Sequence, residues 1–257
     1  MLKYLYIGGT MNKVDLKMLK KFNDYLIIEN KKSKIIFSTA EEGRSFNRNT
    51  EDGVKNLMSI KSDFNVADVK YLKQIHSDYI LKVEKNNENN FIENEGDALI
   101  TDLKNIAIGV FTADCVPIIL VDEEKGVCAA IHSGWKGTFK SITLKTVKKL
   151  QEVYNSNPEN IKAYIGAHIR QCCYEVSEEL KEKFITEKSH ISKEKLFKGR
   201  NLNMEECILE DLRNSGVKEE NIYSIPLCTY CSSEIKLHSY RKSNGLYGRL
   251  FAFVVLN

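Results

Sequence analysis

The chain has 257 residues, of which 42% are hydrophobic and 28% are charged, and this length suffices for a large buried core. Its 38 Lys and Arg residues nearly balance its 35 Asp and Glu residues, so the formal net charge is only +3. That balance, without a long basic block, argues against a nucleic-acid partner, and the longest apolar run, residues 115–121, is far shorter than the ~20 residues of a membrane span.

In the first half of the chain, short runs rich in Ile, Val, Leu and Tyr predict strands. They cover residues 34–38, 69–74, 80–83, 98–101, 106–112, 116–121 and 127–132. Several are apolar on consecutive residues, which indicates burial on both faces. The polar segment 86–95 between two of them predicts a surface loop.

In the second half, helical and strand patterns alternate. Apolar residues recur at helical spacing from Phe139 to Tyr154, and Gly137 with Thr138 supplies the start. A second helix follows Asn203, which forms a capping-box pattern with Glu206, and Gly216 ends it. Further strands are predicted at 162–166, 222–226 and 250–255. Since nothing marks a boundary, we expect one domain over residues 1–257, in the α/β class with an α+β-like mixed sheet layered with helices.

Three potential metal ligands, His76, Cys115 and His132, each lie at the end of a strand-like stretch. Two imidazoles and one thiolate suit zinc, and three protein ligands leave a fourth position for water or substrate. They are too far apart in sequence for a local metal motif, so only the fold can bring them together. Taken singly, each histidine could instead be hydrogen-bonded near a strand end, and Cys115 could be a small buried hydrophobe.

The other cysteines give a weaker signal. The chain has seven cysteines, an odd number, and Cys172 and Cys173 are adjacent, which favours reduced thiols. The N-terminal apolar stretch is too short for a secretory signal, so we expect a cytoplasmic protein. Cys228 and Cys231 have C-x-x-C spacing without a second such pair. We therefore expect a packed turn there and no second metal.

The motifs around the three ligands read QIH (74–76), GDALIT (96–101), TADCVPIILVD (112–122), AAIHSGWKGT (129–138), IGAHIRQCCYEV (165–176), CTYC (228–231), and HSYR (238–241) followed by Gly248 and Arg249. Together they closely resemble the YfiH, or laccase-domain, family of zinc-dependent purine nucleoside phosphorylases. The resemblance implies phosphorolysis of adenosine, inosine, guanosine and S-methyl-5′-thioadenosine, and deamination of adenosine. It also implies that His76, Cys115 and His132 bind the zinc.

Asp114, beside Cys115, is the carboxylate expected to transfer a proton or to orient a ligand imidazole. The alternative is a strand-end residue that accepts backbone N–H groups. Trp135, the only tryptophan, either stacks on a purine or packs beneath its glycine-flanked turn. His168 is expected at the surface.

Phosphorolysis also requires a phosphate site, which arginine forks or turn N–H groups provide. The candidates are Arg44, Arg48, Arg241 and Arg249, with Lys136 in the turn after His132. Any of them could instead be a solvated or ion-paired surface residue. Ala40 stands where the family usually has an arginine. If that arginine binds phosphate, either Arg44 or Arg48 replaces it here or phosphorolysis is weaker.

Two other functions remain open at this point. The family is also called a copper polyphenol oxidase, but the chain has only 5 histidines, few for a multicopper enzyme. Alternatively, Cys115 could be the nucleophile of a non-nucleoside hydrolase or cell-envelope quality-control factor, with a histidine base.

Overall fold

The computed structural model describes residues 12–85, 91–245 and 248–257, and two mixed sheets form the centre of this part of the chain. The strands are β1 Asn12–Lys13, β2 Lys20–Phe22, β3 Tyr25–Glu29, β4 Ser33–Ser38, β5 Asp68–Lys70, β6 Ile80–Lys82, β7 Ala98–Thr101, β8 Ile106–Thr112, β9 Val116–Asp122, β10 Val127–Ser133, β11 Lys162–Ile165, β12 Phe197–Lys198, β13 Asn201–Leu202, β14 Ile222–Ser224 and β15 Leu250–Leu256. One sheet has the order β1-β14-β11-β9-β10-β7-β6 and the other β2-β3-β4-β15-β8-β5, while β12 and β13 pair separately.

Helices cover the outer faces of the sheets. They are α1 Glu51–Phe64, α2 Trp135–Phe139, α3 Ile142–Tyr154, α4 Glu178–Glu187, α5 Lys193–Leu196 and α6 Met204–Asn214. The side chains of α3 and α6 pack on the first sheet, and Leu57 and Ile60 of α1 pack on the second. No helix in the described ranges is long and apolar enough to cross a membrane.

The alternation of side chains along the central strands explains the continuous apolar runs. In β9, Ile118 and Leu120 face the helices while Ile119 and Val121 face the other sheet. The residues of β15 divide in the same way between the space shared by the sheets and the face toward α1. Burial on both faces, predicted from the runs, is therefore confirmed, as is the mixed α/β class.

The predicted helix at 138–154 differs in its start and its continuity. Gly134, in an extended conformation, caps α2 at Trp135, and its carbonyl accepts the Thr138 N–H at 2.9 Å. Ser141 then adopts a left-handed conformation with φ 56°, which separates α2 from α3. The later helix is as predicted: the Asn203 side chain accepts the Glu206 N–H at 3.2 Å, and Gly216 follows with φ +90°.

The segment 86–95 is a surface loop only in part. Residues 86–90 lie outside the described residues, but Phe91 begins a short 3₁₀ helix and is buried in the core. The prediction was wrong for Phe91, because an apolar pair among polar residues gives no periodic signal, whereas Glu93, Asn94 and Glu95 are exposed.

Candidate active site

Cys115 lies where the chain crosses from one sheet to the other. Strand β8 belongs to the six-stranded sheet and ends at Thr112, and β9 begins in the seven-stranded sheet at Val116. Residues 113–115 bridge the gap. Because β10 runs antiparallel to β9, His132 near its end pairs with Pro117 and comes beside Cys115.

His76 reaches the same point from a loop that is fixed to β8. The side-chain amide of Gln74 donates to the Phe111 carbonyl at 2.8 Å and accepts the Phe111 N–H at 2.7 Å, as a strand residue would. His76 itself has φ 58°, a left-handed conformation that costs a non-glycine residue about 1–2 kcal/mol. Such conformations persist where surrounding contacts enforce them, and they cluster at functional sites.

The donor atoms of His76, Cys115 and His132 all lie within 4.8 Å of one another. Cys115 Sγ is 3.8 Å from His76 Nε2, close to the roughly 3.6 Å that separates sulfur and nitrogen ligands on a tetrahedral zinc. His132 is buried, Cys115 is half-buried and His76 is exposed, so one side of the group is accessible. The convergence that the sequence could only suggest is therefore present.

Asp97, at the start of β7, holds this arrangement together. Its carboxylate accepts the His132 Nδ1–H at 2.7 Å, and it also accepts the backbone N–H of His76 at 3.0 Å and of Ser77 at 2.6 Å. With Nδ1 engaged, His132 presents Nε2 toward Cys115. A carboxylate behind a ligating histidine is the usual support of a zinc site.

The local electrostatics favour a deprotonated thiol. Burial raises the pKa of Cys115, but the His132 charge and hydrogen bonds from both histidines outweigh it and lower this pKa to about 6. For His132 burial acts in the opposite direction and lowers the pKa, but the Cys115 thiolate and the Asp97 carboxylate outweigh it and raise this pKa to about 9. The pKa of Asp97 is lowered despite its burial, since His132 and Ser77 stabilise its charge. These protonation states apply without a metal. Because zinc binds a thiolate and neutral imidazoles, its binding would release the His132 proton, and the donor set then fits the ion.

A cavity of about 720 Å³ opens beside the three donors. Its lining combines the metal-ligand candidates with cationic, aromatic and amide side chains: Asn47, Arg48, Gln74, His76, Phe111, Asp114, Cys115, His132, Trp135, Tyr174, Tyr240, Arg241 and Arg249. Trp135 packs partly against the core and also lines the cavity, so stacking on a purine stays a prediction. The exposed Lys136 extends its Nζ over the Trp135 ring, 5.6 Å from the centroid.

The four arginine candidates fall into two groups. Arg48, Arg241 and Arg249 line the cavity. Arg48 is ion-paired with Glu93 at 2.5 Å, and the Arg241 guanidinium lies 5.1 Å from the Tyr174 ring centroid. Arg44 is outside the lining, because its guanidinium donates to the Ser59 hydroxyl at 2.7 Å beside Tyr25.

In the structure, the Asp114 carboxylate binds two other loops rather than a ligand imidazole, and proton transfer by Asp114 stays a prediction. One carboxylate oxygen accepts the Thr229 hydroxyl at 2.6 Å, and the other accepts the Arg241 N–H at 2.8 Å. Asp114 has φ 99° and directly precedes Cys115, so its hydrogen bonds fix the position of Cys115 relative to these two loops. Asp97 orients the imidazole instead, and its place in the GDALIT motif, directly before a strand, was the available signal.

A further expectation was wrong: His168 is not at the surface but 1% exposed, with Nδ1 2.9 Å from the Gly166 carbonyl. The premise that Cys228 and Cys231 lack partner ligands also fails, because Cys172 and Cys173 bring their sulfur atoms to within 4.8 Å of this pair. Ala40, at the position of the expected arginine, is buried and lies outside the cavity lining.

Gly134 offers a direct test of the donor group. A Cβ at this position would lie 2.8 Å from His76 Cδ2 and 3.0 Å from Cys115 Sγ, while the φ of −75° suits alanine. We expect Gly134→Ala to weaken zinc binding about tenfold, because it displaces ligands without straining the backbone. Competition with a chelator measures the affinity. Gly137→Ala is the control, since its Cβ would approach no atom closer than 3.3 Å, and equal affinities for the two variants would contradict the assignment.

Comparison with known proteins connects this site to a family. The chain matches the family model described as multi-copper polyphenol oxidoreductase laccase over residues 29–257. A purine nucleoside phosphorylase of Clostridium acetobutylicum is 45% identical over 239 residues, covering 92% of this chain and 98% of that protein. An adenosine deaminase named RL5, from an unknown prokaryotic organism, is 43% identical over 96 residues, or 37% of this chain and 36% of that protein.

The fold agrees with that match. The crystal structure of the Bacillus licheniformis protein YfiH superimposes with a TM-score of 0.83 at 24% identity, covering 92% of this chain and 97% of that chain. The motifs, the extent of the family match and the highly similar relative all lead to the same assignment: the chain belongs to the laccase-like YfiH family.

Proposed function

We propose that the chain is a zinc-dependent purine nucleoside phosphorylase that also deaminates adenosine at the same site. The observation that carries the proposal is the convergence of His76, Cys115 and His132 on the wall of a cavity with several arginines. The names of the two relatives agree with both reactions. Adenosine, inosine, guanosine and S-methyl-5′-thioadenosine are the proposed substrates.

The cavity suits a nucleoside in size and lining. Its volume of about 720 Å³ lies within the range of small-molecule sites, and Trp135 and Tyr174 offer aromatic surface to a base. Site residues range from Arg48 to Arg249, which supports one catalytic domain over the whole chain.

Phosphate would bind to the cationic part of the lining. Arg241 and Arg249 provide guanidinium groups, which pair with phosphate oxygens through two parallel hydrogen bonds. Arg48 is engaged with Glu93, so it contributes less. In phosphorolysis, a phosphate oxygen bonds to C1′ while the bond from C1′ to the purine nitrogen breaks, and the purine accepts a proton.

A bound zinc would supply Lewis acidity and a water of lowered pKa. The chain's own contribution is the fixed donor geometry. Asp97 holds the His132 Nδ1–H and thereby the ring orientation, and the two histidines stabilise the Cys115 thiolate. In deamination, water adds at C6 of adenosine and ammonia leaves, a reaction that needs no phosphate.

The copper alternative is less compatible with the remaining histidines. Of the three remaining histidines, His168 has Nδ1 engaged with the Gly166 carbonyl and His238 has Nε2 engaged with the Arg44 carbonyl. The third, His190, is exposed and belongs to neither group of potential metal ligands among the described residues. A multicopper enzyme would need several additional imidazole ligands. The 3.8 Å approach of Cys115 to His76 would also suit a cysteine nucleophile with its base, so this second candidate requires an experimental distinction.

The function is tested by incubating the purified protein with adenosine, with and without phosphate. We expect adenine and ribose 1-phosphate only when phosphate is present, and inosine in both cases. Chromatography of the products measures both reactions. If the zinc-loaded protein converted none of the four nucleosides, the proposal would be refuted.

The arginines allow the two reactions to be separated. Arg241→Ala and Arg249→Ala should each raise the KM for phosphate about tenfold or more, since a charge-assisted hydrogen bond contributes about 1.5–3 kcal/mol. Deamination should fall much less, because phosphate takes no part in it. Arg213→Ala is the control, as this arginine pairs with Glu219 and is not among the cavity-lining residues. Equal losses in both reactions would argue against a phosphate site.

A further inference from the structure

Four cysteines come together in a second cluster, outside the cavity lining. Strands β11 and β14 are parallel neighbours, so the loops that follow them leave the same edge of the sheet. The first loop carries Cys172 and Cys173, and the second carries Cys228 and Cys231. The four sulfur atoms all lie within 4.8 Å of one another.

Backbone hydrogen bonds keep the two loops in register. The Thr229 N–H donates to the His168 carbonyl at 3.0 Å, and the His168 N–H donates to the Leu227 carbonyl at 3.4 Å. The Arg170 N–H points to Cys228 Sγ at 3.5 Å. Such N–H groups stabilise a thiolate, and hydrogen-bonded partners of this kind support metal ligands.

We propose that these four cysteines bind a structural zinc ion. Four thiolates on a tetrahedral zinc stand about 3.8 Å apart, given a zinc–sulfur bond of about 2.3 Å. The Cys172 and Cys231 sulfurs are 3.6 Å apart, and the widest separation needs to close by only about 1 Å to reach that geometry. A set of four sulfurs without an open position is typical of a structural site, which distinguishes it from the His76, Cys115 and His132 site.

The ion would stabilise the two loops that position Asp114, the residue before Cys115. Thr229 lies inside the Cys228 to Cys231 turn, and its hydroxyl donates to Asp114 at 2.6 Å. The Ile169 N–H, from the other loop, donates to the Asp114 carbonyl at 2.9 Å. Both loops that hold the proposed ion therefore contact the residue before Cys115, so the ion would fix the position of this catalytic cysteine.

The first test is the zinc content of protein purified under reducing conditions without chelator. We expect two zinc ions per chain, one for each cluster. Cys172→Ser and Cys231→Ser alter the two exposed cysteines, which lowers the risk of misfolding, and each should reduce the content to one. Cys115→Ala should also leave one, and combining it with Cys231→Ser should leave none. Because the two ions are removed by different substitutions, failure of this proposal is distinguishable from failure of the proposed function.

Cobalt substitution identifies the ligands of each ion. Co²⁺ bound by four thiolates gives stronger sulfur-to-metal charge-transfer absorption than Co²⁺ bound by one, so Cys231→Ser should remove most of this absorption and Cys115→Ala little. A single zinc ion per wild-type chain that Cys115→Ala removes and Cys231→Ser does not, or an unchanged content in both serine variants, would overturn the proposal. So would an intact mass lower by two hydrogens in the isolated protein with Cys172 linked to Cys231, because the cluster would then hold a disulfide.

Discussion

Cys115→Ala is expected to abolish phosphorolysis and deamination together and to remove one zinc ion. Substitution of residues that only support a ligand typically lowers metal affinity or activity about 10–100-fold, so loss of the thiolate itself should exceed about 100-fold. Under the proposed function, both reactions would depend on the same open coordination position, so we expect them to be lost together. Zinc content and the two product assays, performed on the same preparation, measure the effect.

This variant also distinguishes a ligand from a nucleophile. A nucleophilic Cys115 would leave zinc content unchanged on substitution, and a covalent adduct on the wild-type thiol would be detectable by mass spectrometry. His132→Ala should lose metal in the same way as Cys115→Ala. Cys207→Ala is the matched control, since Cys207 is buried in α6 and belongs to neither cysteine site. Zinc at the wild-type level in both the Cys115 and His132 variants would refute the three-ligand site.

The three donors could be predicted from the sequence because each lies at or near the end of a strand-like stretch, within motifs that resemble those of a zinc-binding family. The continuous apolar runs around Cys115 and His132 made those strands recognisable. Their geometry could not be predicted in the same way. It depends on β8 and β9 belonging to different sheets, which no local pattern indicates.

Asp97 and the four-cysteine cluster show what a local interpretation misses. Asp97 binds His132 across 35 positions of the sequence, so its role follows only from the pairing of β7 with β10. Cys172 and Cys228 likewise meet through the parallel pairing of β11 with β14. The direction of a long side chain could not be predicted from the sequence either, because Arg44 and Arg48 are only four residues apart yet only Arg48 lines the cavity.

Helix α1 could not be recognised from the sequence, since it buries only Gly53, Leu57 and Ile60, too few for a clear apolar stripe.

Asp97→Asn is expected to reduce zinc affinity and both activities about 10–100-fold while the fold persists. The Asp97 oxygens accept N–H groups on both sides, from His132 and His76 at one and from Ser77 at the other. An asparagine amide would therefore direct its NH₂ group at a donor in either orientation. The ring of His132 loses its fixed orientation, and the loop that carries His76 loses its anchor.

Zinc affinity measured against a chelator is the decisive readout for Asp97, because a merely structural role would lower stability and leave the zinc affinity unchanged. Asp122→Asn is a matched control: Asp122 is fully buried, accepts the Glu124 and Lys125 N–H groups, and lies at the opposite end of β9 from Cys115. Both variants should lose stability. Only Asp97→Asn should also lose activity, and added zinc should restore that activity because the metal ligands are displaced rather than removed. Equal zinc affinity in the two variants would mean that Asp97 supports the loop but not the metal site.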